Sequence, residues 1–270
     1  MTAIRAVLGF RAAEFQATGG ISLNESVNKR FARSDLILGE AGRQRLSSSC
    51  VMVLGLGGVG SSCVEALARA GIGSLIVIDR DTLEETNINR QAIAFTSTLG
   101  RAKAEVMAQM VHEINPACCV TAIVDYINPT TLDEQLGPLG TPDYVVDAID
   151  TITQKLALAQ WCEQRGLPLI SSMGGANKLD PTQLRFANIH QTQGCSMSRI
   201  MRKECRRRGI RKLEVLYSPE VEVVVEAQKH AERGQRPERG TILGTMSYFP
   251  PIMGQMMASL VIRRLAGVES

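Results

Sequence analysis

Val51-Met52-Val53-Leu54-Gly55-Leu56-Gly57-Gly58-Val59-Gly60-Ser61 is the stretch on which the fold turns. Its apolar residues run into glycine without polar alternation. A strand buried on both faces of a parallel sheet has that composition, whereas a half-solvated strand alternates. Gly55, Gly57 and Gly60 then satisfy the GxGxxG spacing, and Gly58 makes it GxGGxG. Glycines between a strand and a helix permit a tight turn and bring backbone close to a phosphate or ribose. The strand is expected over 51–56 and the helix over 59–70, closed by Gly71.

Moving outward, strands are expected over 75–79, 119–124, 144–146 and 169–171, with helices over 101–114 and 152–165. Ala102, Val106, Met110 and Ile114 carry the helical spacing of the first of these helices. Such alternation predicts an α/β fold: a Rossmann-like, doubly wound, mostly parallel sheet. After Pro181 the rhythm changes, and strands over 183–189 and 213–217 are expected to extend the sheet with antiparallel members. Residues 241–262 are uncharged and nearly long enough to span a bilayer, but Pro250-Pro251 interrupts them. They read as a strand over 245–249 and a docked helix over 252–265, and no transmembrane segment is expected. Residues 1–23 read as a flexible tail and 24–270 as one domain. Its nucleotide-binding half covers about 47–172 and its substrate-binding half about 173–267. Residues 226–239 read as a mobile loop.

Composition narrows the function. Of 270 residues 44% are hydrophobic, so a packed core is available and wholesale disorder is excluded. Aromatics at 4% argue against a base-stacking single-strand binder, and a net charge of +3 is too mild to imply a nucleic-acid partner by itself. Seven cysteines without a CxxC pair make a four-cysteine zinc site improbable. Their odd number, without a recognisable signal peptide, reads as a reducing, cytoplasmic compartment.

Asp79, ending the second strand, can accept hydrogen bonds from ribose hydroxyls. The glycine loop and Asp79 alone fit an NAD-dependent oxidoreductase equally well. Further residues favour ATP: Asp81 completing Asp-x-Asp, the run Asn87-Ile88-Asn89-Arg90-Gln91, Lys103, and Asp147 and Asp150 at the 144–146 strand end. An arginine and a lysine can neutralise a triphosphate whose charge moves onto leaving pyrophosphate, and carboxylates can hold Mg2+ bridging phosphates. Taken singly, Arg90 and Lys103 read as ordinary surface charges; jointly they read as a site.

Leu54 to Ser61, Ile78-Asp79-Arg80-Asp81 and Asn87 to Gln91 resemble the ubiquitin-activating-like superfamily that includes ThiF, MoeB and HesA. The resemblance implies adenylation of a carboxylate by ATP with Mg2+, and a homodimer. It implies Asp79 at the ribose, Arg90 and Lys103 at the phosphates and Asp150 at magnesium. The wider ligand set comprises Gly55, Gly57, Gly58, Gly60, Asp81, Asn87, Asn89, Gln91 and Thr151. It also implies an N-terminal arginine reaching the partner's ATP, for which Arg33 is the best match and an ordinary surface arginine the equal alternative. The sulfur-carrier activators of this superfamily usually carry two CxxC zinc pairs, absent here.

The second half is similar instead to the tRNA threonylcarbamoyladenosine dehydratases, through Gly174-Gly175-Ala176, Asp180-Pro181-Thr182 and Tyr217-Ser218-Pro219-Glu220. That family implies adenylation of the nucleoside carboxylate in tRNA, then cyclisation with release of AMP. Arg199, Arg202, Lys203, Arg206, Arg207 and Arg208 form a basic run suited to tRNA phosphates, or else a solvated cationic helix. Cys195 is expected to be structural. Two alternatives stay open beside the NAD enzyme. One is activation of a ubiquitin-like or sulfur-carrier protein; the other is a nucleotide-binding scaffold in a cysteine-desulfurase and sulfur-acceptor relay.

Overall fold

Alternate residues of β2 (Cys50–Leu54) face opposite sides of a sheet, and both sides are covered. Val51 and Val53 join the core beneath α2 (Gly58–Arg69), α3 (Lys103–Ile114) and α7 (Phe249–Ala266). Met52 and Leu54 pack on the other face with Leu132 and Leu136 of α4 (Leu132–Leu136) and Leu158 and Trp161 of α5 (Ile152–Arg165). The uninterrupted apolar run thus arises because neither face of the strand meets water. The computed structural model describes residues 6–10, 23–223 and 243–268, those before Lys29 by their backbone alone.

The remaining strands are β1 (Ala6–Phe10), β3 (Ser74–Ile78), β4 (Cys119–Ile123), β5 (Tyr144–Asp147), β6 (Leu169–Ser172), β7 (Arg185–Asn188) and β8 (Glu214–Tyr217). They form one eight-stranded sheet in the order β1-β4-β3-β2-β5-β6-β8-β7. The six inner strands are parallel, and β1 and β7 close the edges antiparallel to β4 and β8. This is the Rossmann-like sheet with antiparallel extensions that the alternation predicts.

Two expectations meet a different outcome. Ala6–Phe10, inside the segment read as a flexible tail, pairs with β4. No strand forms over 245–249: Phe249 already begins α7, with Tyr248 as its N-cap. Prolines fit a first helical turn because those N–H groups have no intrahelical acceptor, so Pro250-Pro251 opens the helix instead of ending a strand. Between the antiparallel β7 and β8 lies α6 (Ser196–Arg208), so the chain leaves the sheet and returns. The loop expected over 226–239 lies outside the described residues.

The first long helix, α1 (Leu23–Ser48), is broken at Gly39, whose φ of 67° is left-handed. Near its start Arg30 donates to the Ile114 carbonyl at 3.1 Å, completing the C-terminal turn of α3. No described helix is long and apolar enough to cross a membrane.

Candidate active site

Register places the site. Leu54 lies opposite Ile78 on one side and Asp147 on the other, so Gly55, Asp79 and Ala148 leave the sheet side by side. Here the strand order reverses, with connections departing to opposite faces, which leaves a crevice at the strands' carboxyl ends. A cleft of about 870 Å3 opens there. Gly58 of α2, Lys103 of α3, Thr151 before α5 and Ser196 of α6 all line it. These are the starts of four helices, each presenting the positive end of its dipole, so the cleft favours an anion.

The glycine loop is shaped by close approach. Gly55 has φ of 87°, and a Cβ there would lie 2.7 Å from the Ala148 carbonyl oxygen. A Cβ on Gly60 would collide with the Gly55 carbonyl oxygen. Gly57 differs: a Cβ there meets no atom within 4 Å and would stand in the cleft. Gly57 is the N-cap of α2, and glycine offers no side chain to cap its first turn.

Asp79 accepts the Leu56 N–H at 2.6 Å and the Asp81 N–H at 2.8 Å. Burial raises its pKa above the ordinary carboxylate range, against the opposing pull of those two bonds and Lys103. Lys103 is 7% exposed and reaches Asp81 at 3.2 Å. The Arg90 guanidinium is held by the Thr86 carbonyl and by Asn89 Oδ1, both at 2.8 Å. Gln91, also lining the cleft, has a buried Oε1 without a partner among the described residues. Asp150 is exposed at the opposite wall and accepts the Thr151 hydroxyl at 3.1 Å.

A family model described as "ThiF family" matches residues 30–270. The chain belongs to the ThiF family. It is 41% identical over 206 residues to the tRNA threonylcarbamoyladenosine dehydratase of Bacillus subtilis, covering 76% of this chain and 80% of that protein. The structures of the Escherichia coli dehydratase TcdA with AMP and with ATP superpose with TM-scores of 0.80 and 0.79. Each is 29% identical, covering 92% of this chain and 98% of theirs.

Against this ThiF frame, the cleft collects Gly55, Gly57, Gly58, Asp79, Asp81, Asn87, Arg90, Gln91, Lys103, Asp150 and Thr151. Gly60 is not in its lining but allows the loop to close on itself. Asn89 also stands behind the lining: it accepts from Arg90 and donates to the Thr245 carbonyl at 3.0 Å. Arg33, exposed on α1, does not line the cleft of its own chain. Asp147 is buried, bound to Lys155 at 3.0 Å and to the Ser171 hydroxyl at 2.6 Å, so it serves the core and not the ligand. Cys195 accepts the Ser198 N–H at 3.5 Å as the cap of α6, the structural part expected for it.

Several lining residues escaped the sequence reading. Arg80 lies over the Tyr126 ring, 4.9 Å from its centre, beside Asp79. Asn177 has φ of 56° and exchanges backbone bonds with the Gly244 carbonyl and Val223, while its Oδ1 accepts the Gly244 N–H. The only local signal for Asn177 was its place directly after Gly174-Gly175-Ala176.

Proposed function

We propose that the protein is an ATP-dependent tRNA threonylcarbamoyladenosine dehydratase, acting as a cytoplasmic homodimer. The observation that carries this reading is the 41% identity to a dehydratase over 80% of that enzyme's length. The anion-attracting cleft supports it, since its donors suit a nucleoside triphosphate.

In this reading the nucleoside carboxylate attacks the α-phosphorus of ATP, pyrophosphate leaves, and an acyl adenylate forms. A nucleophile of the same nucleoside then attacks the acyl carbon, AMP departs, and the ring closes with net loss of water. Asp79 accepts hydrogen bonds from the ribose hydroxyls. Arg90 and Lys103 stabilise charge passing onto pyrophosphate, where fixed cations in a partly dry site are most effective. Lys103 exchanges Asp81 for phosphate oxygen without leaving its buried position. The attack is intramolecular and needs no enzyme thiol. Burial, which pushes Cys63, Cys118 and Cys162 to about 12 and Cys205 to about 11, keeps those thiols protonated.

Magnesium would be held by Asp150 and the phosphates. An exposed carboxylate at the cleft fits that ion, which commonly takes one or two carboxylates together with substrate phosphates. When bound it would neutralise phosphate charge.

Incubation with ATP and tRNA, followed by mass spectrometry of the nucleosides, is the test. Expected are AMP and a nucleoside lighter by one water. AMP release that requires a small protein ending in Gly-Gly and ignores tRNA would transfer the reading to carrier-protein activation.

A further inference from the structure

The basic run of α6 is not one surface. Arg202 turns inward, donating to the Thr192 carbonyl at 2.6 Å and its hydroxyl at 2.7 Å. Arg207 is paired with Glu204 at 2.5 Å, and Arg208 is bound to Gln160 at 3.1 Å with Glu204 nearby at 3.8 Å. Arg199, Lys203 and Arg206 are exposed, and their side chains make no hydrogen bond or ion pair with any described residue.

The unpaired set is also the geometrically ordered one. At about 100° per residue, Arg199, Lys203 and Arg206 stand at i, i+4 and i+7, on one face roughly 60° wide. Ser196 extends the same face by one turn toward the start of the helix, and Ser196 lines the cleft. Its hydroxyl donates to Glu222 at 2.5 Å, the one carboxylate that the described contacts put at this end. At about 1.5 Å per residue the stripe runs roughly 15 Å from the cleft wall to Arg206.

We infer that Arg199, Lys203 and Arg206 alone form the phosphate track of α6, leading the tRNA backbone to the adenylation cleft. Arg202 and Arg208 tie the helix to Thr192 and Gln160, and Arg207 pairs with Glu204 within it. This rests on the dehydratase reading. A helix face with three unpaired cations gains counterion-release energy on meeting phosphates, whereas a cation already neutralised by Glu204 or bonded to Thr192 gains little.

The experiment compares wild type, the triple variant Arg199→Gln/Lys203→Gln/Arg206→Gln, and the control Arg207→Gln/Arg208→Gln. It measures tRNA affinity across a potassium chloride series, with ATP affinity and turnover alongside. Each lost contact removes roughly 0.7–0.9 from the slope of log affinity on log salt, so the triple variant should flatten it by about 2. ATP affinity should hold, and the control should change the slope by less than about one contact's worth. A control that flattens the slope as much as the triple variant overturns the inference. So does a triple variant that processes tRNA with the wild-type slope, and that result leaves the dehydratase reading standing. A wild type that binds ATP but never alters tRNA removes both.

Discussion

Asp79 illustrates how one side chain shapes local structure and, under the proposed function, would also recognise the ligand. Its two oxygens pin Leu56 and Asp81, shaping the glycine loop and the Asp-x-Asp turn around the place where a ribose would bind. The sign of its pH dependence follows from burial, which raises its pKa. The folded protein therefore protonates this group at a higher pH than the unfolded chain does. It favours the fold at low pH, and that contribution is lost as pH rises through the raised value. Under the proposed function ribose binding would run oppositely, because the ionised form accepts the hydroxyls. ATP affinity, measured by calorimetry without tRNA, should fall on acidification at a pH above that typical of a carboxylate. Asp79→Asn should bind ATP more weakly at neutral pH and lose that dependence. An Asn variant that keeps the wild-type profile would assign the dependence to another group.

Among the elements, α7 decides the shape of the nucleotide loop from a distance of some two hundred residues in sequence. Gly254 sits against the Val59 carbonyl, Cys63 N and Ser62 Cβ of α2, so the two helices meet backbone to backbone. Gln255 adds a bond to the Ser62 carbonyl at 3.2 Å. Pro250 in turn lies over Gly58, 2.8 Å from where a Cβ would stand. A side chain at 254 forces α7 away from α2, and overpacking of this kind costs about 1–3 kcal/mol. Gly254→Ala should lower the thermal midpoint and also weaken ATP binding, because the turn that moves carries the glycine loop. Loss of stability with unchanged ATP affinity in the folded fraction would show that α7 only buttresses the core.

For the whole molecule, the position of Arg33 carries the argument. It is exposed on α1 and outside its own cleft, whereas its neighbour Arg30 is spent on the end of α3. An arginine that acts on ATP from there acts on another copy's ATP, and a two-fold dimer supplies that arrangement to both sites. If so, Arg33→Ala and Asp150→Ala should each be inactive alone and recover activity when mixed. A mixed dimer holds one site with both groups intact. Absence of recovery after demonstrated subunit exchange would remove Arg33 from the site.

The sequence by itself determined the nucleotide half: β2, the glycine loop, Asp79, Arg90, Lys103 and Asp150 in their order. These signals are local. Strand alternation, helical spacing and the need for glycine are set within about ten residues, and the parallel sheet brings the strand ends together without further instruction. Only the tertiary structure decided what depends on distant partners. β1 becomes a strand because β4 offers it an edge. Asn177 becomes a cleft residue because Val223 and Gly244 converge on it. Arg202 and Arg199 look alike in a basic run, yet Thr192 captures one and leaves the other to solvent. A charge run specifies how much charge a helix carries, while the packing of its neighbours decides which of those charges remain available to a ligand.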